Sequence, residues 1–166
     1  LPILKSKVGF DPRKQEFILI TTHRRENLGS GLESIFNAVN RLARAHPSVQ
    51  FLLPLHPNPV IHETASQLLA DLPNVTVSGP VDYVEFTLLL SLCRMVLTDS
   101  GGVQEEAPFL GKPVLVMRDS SERPEGIEAG TALLVGSDSD VLYRACSRLI
   151  LEPEEYAKFA RAINPY

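Results

Sequence analysis

Short runs of nearly continuous hydrophobic residues alternate with longer segments of helical periodicity along the chain. Strands that are buried on both faces of a sheet show such apolar runs, because neither side of the strand meets water. The runs that predict strands are residues 17–21, 50–55, 75–77, 95–98 and 113–117, with a sixth at residues 131–135.

The segments between these runs place hydrophobic residues three or four positions apart, which is the spacing of one face of a helix. Residues 32–45 show it through Leu32, Ile35, Phe36, Val39 and Leu42. Helices are predicted at residues 32–45, 60–72, 83–92, 102–110, 139–151 and 154–162. The first dozen residues, which end in Asp11-Pro12-Arg13-Lys14, are interpreted as a linker that enters the domain.

Strands that alternate with helices predict one α/β domain with a Rossmann-like, doubly wound parallel sheet. The crossover connections of such a sheet are right-handed, and helices cover both of its faces. Ligands of these folds bind beyond the carboxyl ends of the strands. The residues that directly follow each strand are therefore the candidates for function.

Composition narrows the class of protein further. The chain has 166 residues, 44% hydrophobic and 22% charged, which suits one domain with a packed core. A net charge of −4 without a basic block argues against a nucleic-acid surface, and no apolar run has the ~18 residues of a membrane span. Cys93 and Cys146 are interpreted as buried, reduced thiols, which suits the cytoplasm and makes a zinc site improbable. His46 and His62 are interpreted as surface residues.

The strongest local signal is the segment Ser100-Gly101-Gly102, which follows the fourth predicted strand and opens a predicted helix. Glycines let a ligand approach the backbone, and the N–H groups of a first helical turn point at one spot where the helix dipole is positive. This arrangement binds phosphate. A turn that merely caps the helix through Ser100 explains the same residues, and the turn alone does not separate the two interpretations.

Charged clusters follow three other predicted strands. Residues 22–27 contain a histidine and two arginines, and residues 118–125 are dense in charge. At residues 56–59, Pro57 and Pro59 fix the loop, which places His56 rigidly at the same edge of the sheet. Arginines there can clamp phosphate oxygens, whereas a solvated loop with weak ion pairs is the simpler explanation. Glu105 and Glu106 lie about a quarter-turn apart on the predicted helix, so one of them can accept hydrogen bonds from ribose hydroxyls.

These segments together resemble the non-hydrolysing UDP-N-acetylglucosamine (UDP-GlcNAc) 2-epimerases over nearly the whole chain. The resemblance is carried by His23-Arg24-Arg25-Glu26-Asn27, Asp99-Ser100-Gly101-Gly102-Val103-Gln104-Glu105-Glu106-Ala107-Pro108, Arg118-Asp119, Glu122-Arg123-Pro124-Glu125 and Asn164-Pro165-Tyr166. The family has two Rossmann-like domains in the GT-B arrangement that one large class of glycosyltransferases also uses. The chain resembles the second, C-terminal domain, which would span residues 1–166.

The resemblance implies that the parent enzyme interconverts UDP-GlcNAc and UDP-ManNAc by inverting C2 of the sugar. The family eliminates UDP, forms a glycal intermediate and adds UDP back, without a metal or a nicotinamide cofactor. By resemblance, His23 is the catalytic candidate in this chain, and it faces the phosphates. The residues implied to bind UDP are Ser100, Gly101, Gly102, Glu106, Arg123 and Phe86. Phe86 would lie near the uracil, although it also suits the core.

Some members of the family bind a second UDP-GlcNAc as an activator, and Arg24, Glu26 and His56 match the positions linked to that site. The family's acid and base carboxylates lie mainly in the first domain. The chain begins at Leu1 rather than at methionine and stops at Tyr166, where the family continues. We therefore expect a fragment that is inactive alone, that works with a missing N-terminal domain and that forms a homodimer when full length.

Three other functions remain open at this stage. A UDP-sugar glycosyltransferase of the same architecture would move the sugar to an acceptor. A hydrolysing epimerase would release free UDP as it turns over. A stand-alone nucleotide-binding module would have no turnover at all. The segments at residues 23–27 and 118–125 favour the epimerase over the glycosyltransferase.

Overall fold

The computed structural model describes residues 2–22, 30–55, 58–119, 123–162 and 165–166. The strands are β1 Phe17–Thr21, β2 Gln50–Pro54, β3 Val75–Ser78, β4 Met95–Thr98, β5 Val114–Val116 and β6 Ala132–Leu134. The helices are α1 Pro2–Val8, α2 Ser30–Ala45, α3 Pro59–Leu68, α4 Tyr83–Leu92, α5 Gly101–Phe109, α6 Pro124–Ala129, α7 Ser139–Leu151 and α8 Pro153–Arg161. All six predicted strands are present, and no predicted end differs from the observed one by more than one residue.

The strands form one parallel sheet in the order β3-β2-β1-β4-β5-β6. This order confirms the predicted Rossmann-like α/β fold, and it reverses direction between β1 and β4. The last residues of these two strands, Thr21 and Thr98, are partners in the register. The carboxyl ends of β1 and β4 therefore form the topological switch point at which such folds bind ligands.

Hydrophobic clusters cover both faces of the sheet. Ile18 and Ile20 of β1 pack with the buried side chains of α2, α3 and α7. Phe17 and Leu19 of the same strand pack with those of α1, α4 and α5. Alternate residues of one strand thus enter opposite layers, which is the doubly wound arrangement that the continuous apolar runs predicted.

The interpretation of the first dozen residues as a linker is wrong, because most of them form helix α1. Leu4 and Val8 lie one helical turn apart and are both buried. Phe10 follows the helix and packs its ring 5.5 Å from the ring of Phe17. Only two apolar positions mark this helix, so the pattern is too short to stand out in the sequence.

Helix α6 was not predicted either, since its residues fall in and beyond the charged segment 118–125. Pro124 occupies its first turn, and Gly130 follows it in the left-handed conformation at φ 81°. Proline at the start and glycine just past the end are the expected signals for a helix. The many charged residues at 118–125 obscured these two signals in the sequence.

His46 was interpreted as a surface residue, and this is also wrong. Its side chain is buried, and Nε2 lies 3.0 Å from Ser147 Oγ. Burial lowers the pKa of His46. Cys93 and Cys146 are buried free thiols, as predicted, and burial raises the pKa of each to about 12. No helix within the described ranges is long and apolar enough to cross a bilayer.

Candidate functional site

A buried hydrogen-bond network joins the ends of β1 and β4 at the switch point. Thr21 Oγ1 lies 2.7 Å from Thr98 Oγ1, and Thr22 Oγ1 donates to Asp99 Oδ2 at 2.8 Å. Asp99 and Thr98 are completely buried. Since the hydroxyls and the carboxylate are shielded from water, these hydrogen bonds hold the two strand ends in one relative position.

The turn after β4 leads directly into α5, as predicted. Ser100 occupies the N-cap position with φ −89° and ψ 130°, but its hydroxyl makes no capping hydrogen bond, so the suggestion that it caps α5 is wrong. The Ser100 N–H donates instead to Thr98 Oγ1 at 3.0 Å. The N–H groups of Gly101 and Gly102 belong to the first helical turn, where the helix itself supplies no carbonyl partners.

Neither the space around Gly102 nor its backbone conformation requires a glycine at this position. The residue is exposed, and a Cβ placed there would meet nothing closer than Ser100 Oγ at 3.9 Å. Its φ is not among the positive values in the chain, so an alanine would adopt the same backbone. A glycine without a steric or conformational need leaves room for a ligand to contact the backbone.

A pocket of about 350 Å³ opens beside this turn at the switch point. Its lining comes from β1 and β2, from the start and middle of α4, and from the turn before α5. The lining residues are Thr21, Thr22, Pro54, Pro80, Val81, Asp82, Tyr83, Phe86, Ser100 and Val103. The pocket thus brings together an apolar wall and the candidate phosphate turn.

Phe86 contributes to the core, which was one of its two interpretations, and its position beside the uracil stays a prediction. It is half-buried, it packs against the core cluster on the α4 face of the sheet, and it lines the pocket. The helix that carries it begins with a capping box between Asp82 and Glu85, which fixes the first turn of α4. The ring is therefore held firmly at the pocket wall.

The adjacent glutamates on α5 have different partners. Glu105 Oε1 accepts a hydrogen bond from Arg123 Nε at 2.5 Å, which ties α5 to the start of α6. Glu106 Oε1 lies 3.5 Å from the hydroxyl of Tyr83. The pair with Glu105 places Arg123 next to α5, about one helical turn after Gly101 and Gly102. Ser100, Gly101, Gly102, Glu106 and Phe86 thus all lie on elements around the switch point.

Four candidates lie outside the described residues, namely His23, Arg24, Glu26 and His56. Among the residues that are described, no three His, Cys, Asp or Glu side chains are grouped as a metal site.

The sequence analysis did not assign roles to Thr22, Asp99, Tyr83 or Tyr166. Thr22 and Asp99 directly follow β1 and β4, and their shared position at the ends of adjacent strands is a signal that could have paired them. Tyr83 opens α4 and lines the pocket. Tyr166 contacts the first turn of α6, and no local pattern indicates a contact over that sequence distance.

Comparisons with known proteins agree with this geometry. The family model described as UDP-N-acetylglucosamine 2-epimerase matches residues 3–166. A UDP-N-acetylglucosamine 2-epimerase from Bacillus subtilis is 46% identical over 165 residues, which cover 99% of this chain and 42% of that protein. The chain therefore spans less than half the length of this relative.

Solved structures give the same result at the level of the fold. The UDP-GlcNAc 2-epimerase from Neisseria meningitidis bound to UDP-GlcNAc superposes with a TM-score of 0.93 at 43% identity, covering 99% of this chain and 44% of that one. The C-terminal domain of a group 1 glycosyl transferase from Francisella tularensis superposes at 0.69 with 17% identity, covering 91% of this chain and 82% of that one, which shows a shared fold only.

Proposed function

Because the chain belongs to the UDP-N-acetylglucosamine 2-epimerase family, we propose that it is the C-terminal, UDP-binding half of an enzyme that interconverts UDP-GlcNAc and UDP-ManNAc. The observation that carries the proposal is the position of the Gly101-Gly102 turn. It opens α5 at the switch point of the sheet, beside a pocket with an apolar wall. The N. meningitidis relative with bound UDP-GlcNAc supports the choice of ligand.

The chemistry of the proposed reaction explains why a phosphate site matters. C2 of the sugar lies beside an acetamido nitrogen rather than a ketone, so its proton is poorly acidic. Elimination of UDP couples loss of that proton to the departure of UDP: the electron pair of the C2–H bond forms a C1=C2 double bond as the C1–O bond breaks, and a glycal results. Negative charge then grows on the diphosphate, and donors that are already oriented stabilise this charge as it develops. A proton added to the opposite face of C2, together with re-addition of the UDP oxygen at C1, completes the inversion.

Each residue of the proposed site has a role in this scheme. The N–H groups of Gly101 and Gly102 and the hydroxyl of Ser100 donate to the diphosphate, and Arg123 adds a charge. Glu106 accepts hydrogen bonds from the ribose hydroxyls, and Phe86 forms the wall beside the uracil. By its resemblance to the family, His23 also contacts the phosphates.

The proposal extends to a second ligand and to the assembly of the parent protein. Arg24, Glu26 and His56 hold an activating UDP-GlcNAc beside the first. The enzyme works in the cytoplasm, which the two reduced cysteines support, and it forms a homodimer.

Binding of UDP to this chain tests the site directly. We expect a dissociation constant on the order of 0.1–1 mM, or about −4 to −5.5 kcal/mol, because half of a cleft lacks the other half's contacts. Arg123→Ala should weaken binding about tenfold, since one charge-assisted hydrogen bond to phosphate is lost. Calorimetry measures the native chain, and NMR titration extends the range for the variant.

Arg41→Ala is the matched control for this experiment. Arg41 pairs with Asp140 and lies over the ring of Tyr143, away from the switch point. Its loss should leave UDP affinity unchanged. Equal affinity in native chain and Arg123→Ala would remove Arg123 from the site, and failure of the full-length protein to bind UDP would refute the proposed function.

The chain alone should not turn over UDP-GlcNAc, because the acid and base carboxylates of the reaction belong to the other half of the enzyme. The measurement is an assay for UDP-ManNAc with the chain and with the full-length protein at equal concentrations. We expect product from the full-length protein only. Epimerisation by the chain by itself would place the acid and base within these 166 residues.

A further inference from the structure

Helix α6 carries Arg123 at its N-cap, and this helix is too short to hold its own geometry. It has six residues, so most of its backbone groups lie in its first or last turn. Isolated helices of this length are unstable in water. The position of Arg123 therefore depends on contacts that other parts of the chain make with α6.

Arginine is an unusual residue at an N-cap, where a short oxygen-bearing side chain normally accepts the N–H of the third helical residue. The Arg123 side chain makes no capping hydrogen bond. It reaches across to Glu105 instead. The N-cap side chain thus does not supply the capping oxygen for the first turn of α6, where the Gly126 N–H donates to the backbone carbonyl of Arg123 at 3.2 Å.

Tyr166 supplies that oxygen from 40 residues further along the chain. Its hydroxyl accepts the N–H of Gly126, the third helical residue, at 3.1 Å. The same hydroxyl donates to the backbone carbonyl of Arg123 at 3.2 Å. One side chain therefore caps the helix and holds the backbone of the residue that bears the guanidinium.

The Tyr166 hydroxyl can approach the backbone of Gly126 closely because this residue has no side chain. A Cβ at Gly126 would meet the Tyr166 hydroxyl at 3.0 Å and Thr131 Oγ1 at 3.3 Å. The carbonyl of Gly126 accepts hydrogen bonds from the N–H and the hydroxyl of Thr131, at 3.0 and 3.1 Å. Gly126 is buried, so its backbone is held on one side by Tyr166 and on the other by Thr131.

We infer that Tyr166 is a positioning residue that holds Arg123 in place to bind the diphosphate of UDP. This inference rests on the proposed function, because it needs Arg123 to bind phosphate. Tyr166 acts through the backbone of Arg123 and touches no ligand. Burial raises the pKa of Tyr166, so the hydroxyl keeps the proton that it donates to the Arg123 carbonyl at neutral pH.

A double-mutant cycle with two ligands tests the inference. The chain and its Tyr166→Phe, Arg123→Ala and doubly substituted variants are titrated by NMR with UDP and with uridine, which lacks the phosphates. Tyr166→Phe should weaken UDP binding about fivefold and leave uridine binding unchanged. In the Arg123→Ala background, Tyr166→Phe should have no further effect, because the residue that it positions is gone.

Tyr143→Phe is the control for removal of a tyrosine hydroxyl. Tyr143 lies on α7, with its ring against Arg41, and this variant should bind UDP as the native chain does. Equal losses for UDP and uridine, or losses for the two substitutions that multiply, would show that Tyr166 only stabilises the fold and would overturn the inference. If Arg123→Ala alone left UDP affinity unchanged, Arg123 would not belong to the phosphate site, and the role of Tyr166 would be refuted while the proposed function still stood.

Discussion

Replacement of Gly102 by alanine should stabilise the fold and weaken UDP binding about thirtyfold, or about 2 kcal/mol. A glycine within a helix lowers stability by about 0.5–1 kcal/mol relative to alanine, because the unfolded glycine has more freedom to lose. The added Cβ has space, since its nearest neighbour is Ser100 Oγ at 3.9 Å. Thermal unfolding should therefore show a higher Tm for this variant.

In the proposed site, the same Cβ would lie where the phosphate approaches the N–H groups of the α5 first turn. Charge-assisted hydrogen bonds are worth about 1.5–3 kcal/mol each, so loss of close approach to this turn accounts for the expected weakening. NMR titration with UDP measures it in the millimolar range. A higher Tm together with a lower UDP affinity would indicate that the turn binds the ligand. If the turn only capped the helix, the substitution would have no reason to lower UDP affinity while it raised stability.

Gly79→Ala is the matched control. Gly79 has open space around its Cβ position and no positive φ, like Gly102, but it lies on the loop after β3. This variant should bind UDP with native affinity. A Gly102→Ala chain that binds UDP as tightly as the native chain would remove the turn from the phosphate site.

Most of the architecture could be predicted from the sequence because the sheet is buried on both faces. Continuous apolar runs mark all six strands, and the longer helices show their buried faces through hydrophobic spacing. The order of the strands could not be predicted in the same way. It depends on which crossovers pack together, and only the structure places β1 beside β4.

The elements that the sequence did not indicate are short and are stabilised by distant contacts. Helix α1 has only Leu4 and Val8 to mark its buried face. Helix α6 is capped by Tyr166, which lies 40 residues from Gly126. His46 is polar, yet it is buried beside Ser147 of α7. In each of these places tertiary packing outweighs the local pattern.

The candidate site likewise has parts that are local in sequence, which could be predicted, and parts that join distant segments, which could not. The Ser100-Gly101-Gly102 turn is a local pattern, so its position at the start of α5 could be predicted. The pairing of Glu105 with Arg123 joins two helices, and spacing along the chain gives no information on it. The network of threonines and Asp99 beneath the turn is equally non-local, since it joins strand ends that are distant in sequence.

This network leads to the second large effect, which is the loss of stability in Thr22→Val. Thr22 is buried and donates to the completely buried carboxylate of Asp99 at 2.8 Å. Valine has nearly the same shape but no hydroxyl, so it removes one donor from a charged acceptor that water does not reach. Such a loss costs about 1.5–3 kcal/mol, which urea unfolding should show as a lower midpoint with an unchanged slope.

Thr22→Ser distinguishes the hydrogen bond from packing. Serine keeps the hydroxyl and loses one methyl group, so it should cost only about 1 kcal/mol. If valine were no more destabilising than serine, the hydrogen bond to Asp99 would not hold the strand ends together. If valine is the worse of the two, the hydrogen bond between Thr22 and Asp99 joins the ends of β1 and β4. The turn that carries Gly102 then starts from a rigid base, so a change at the end of β1 also alters this part of the proposed site.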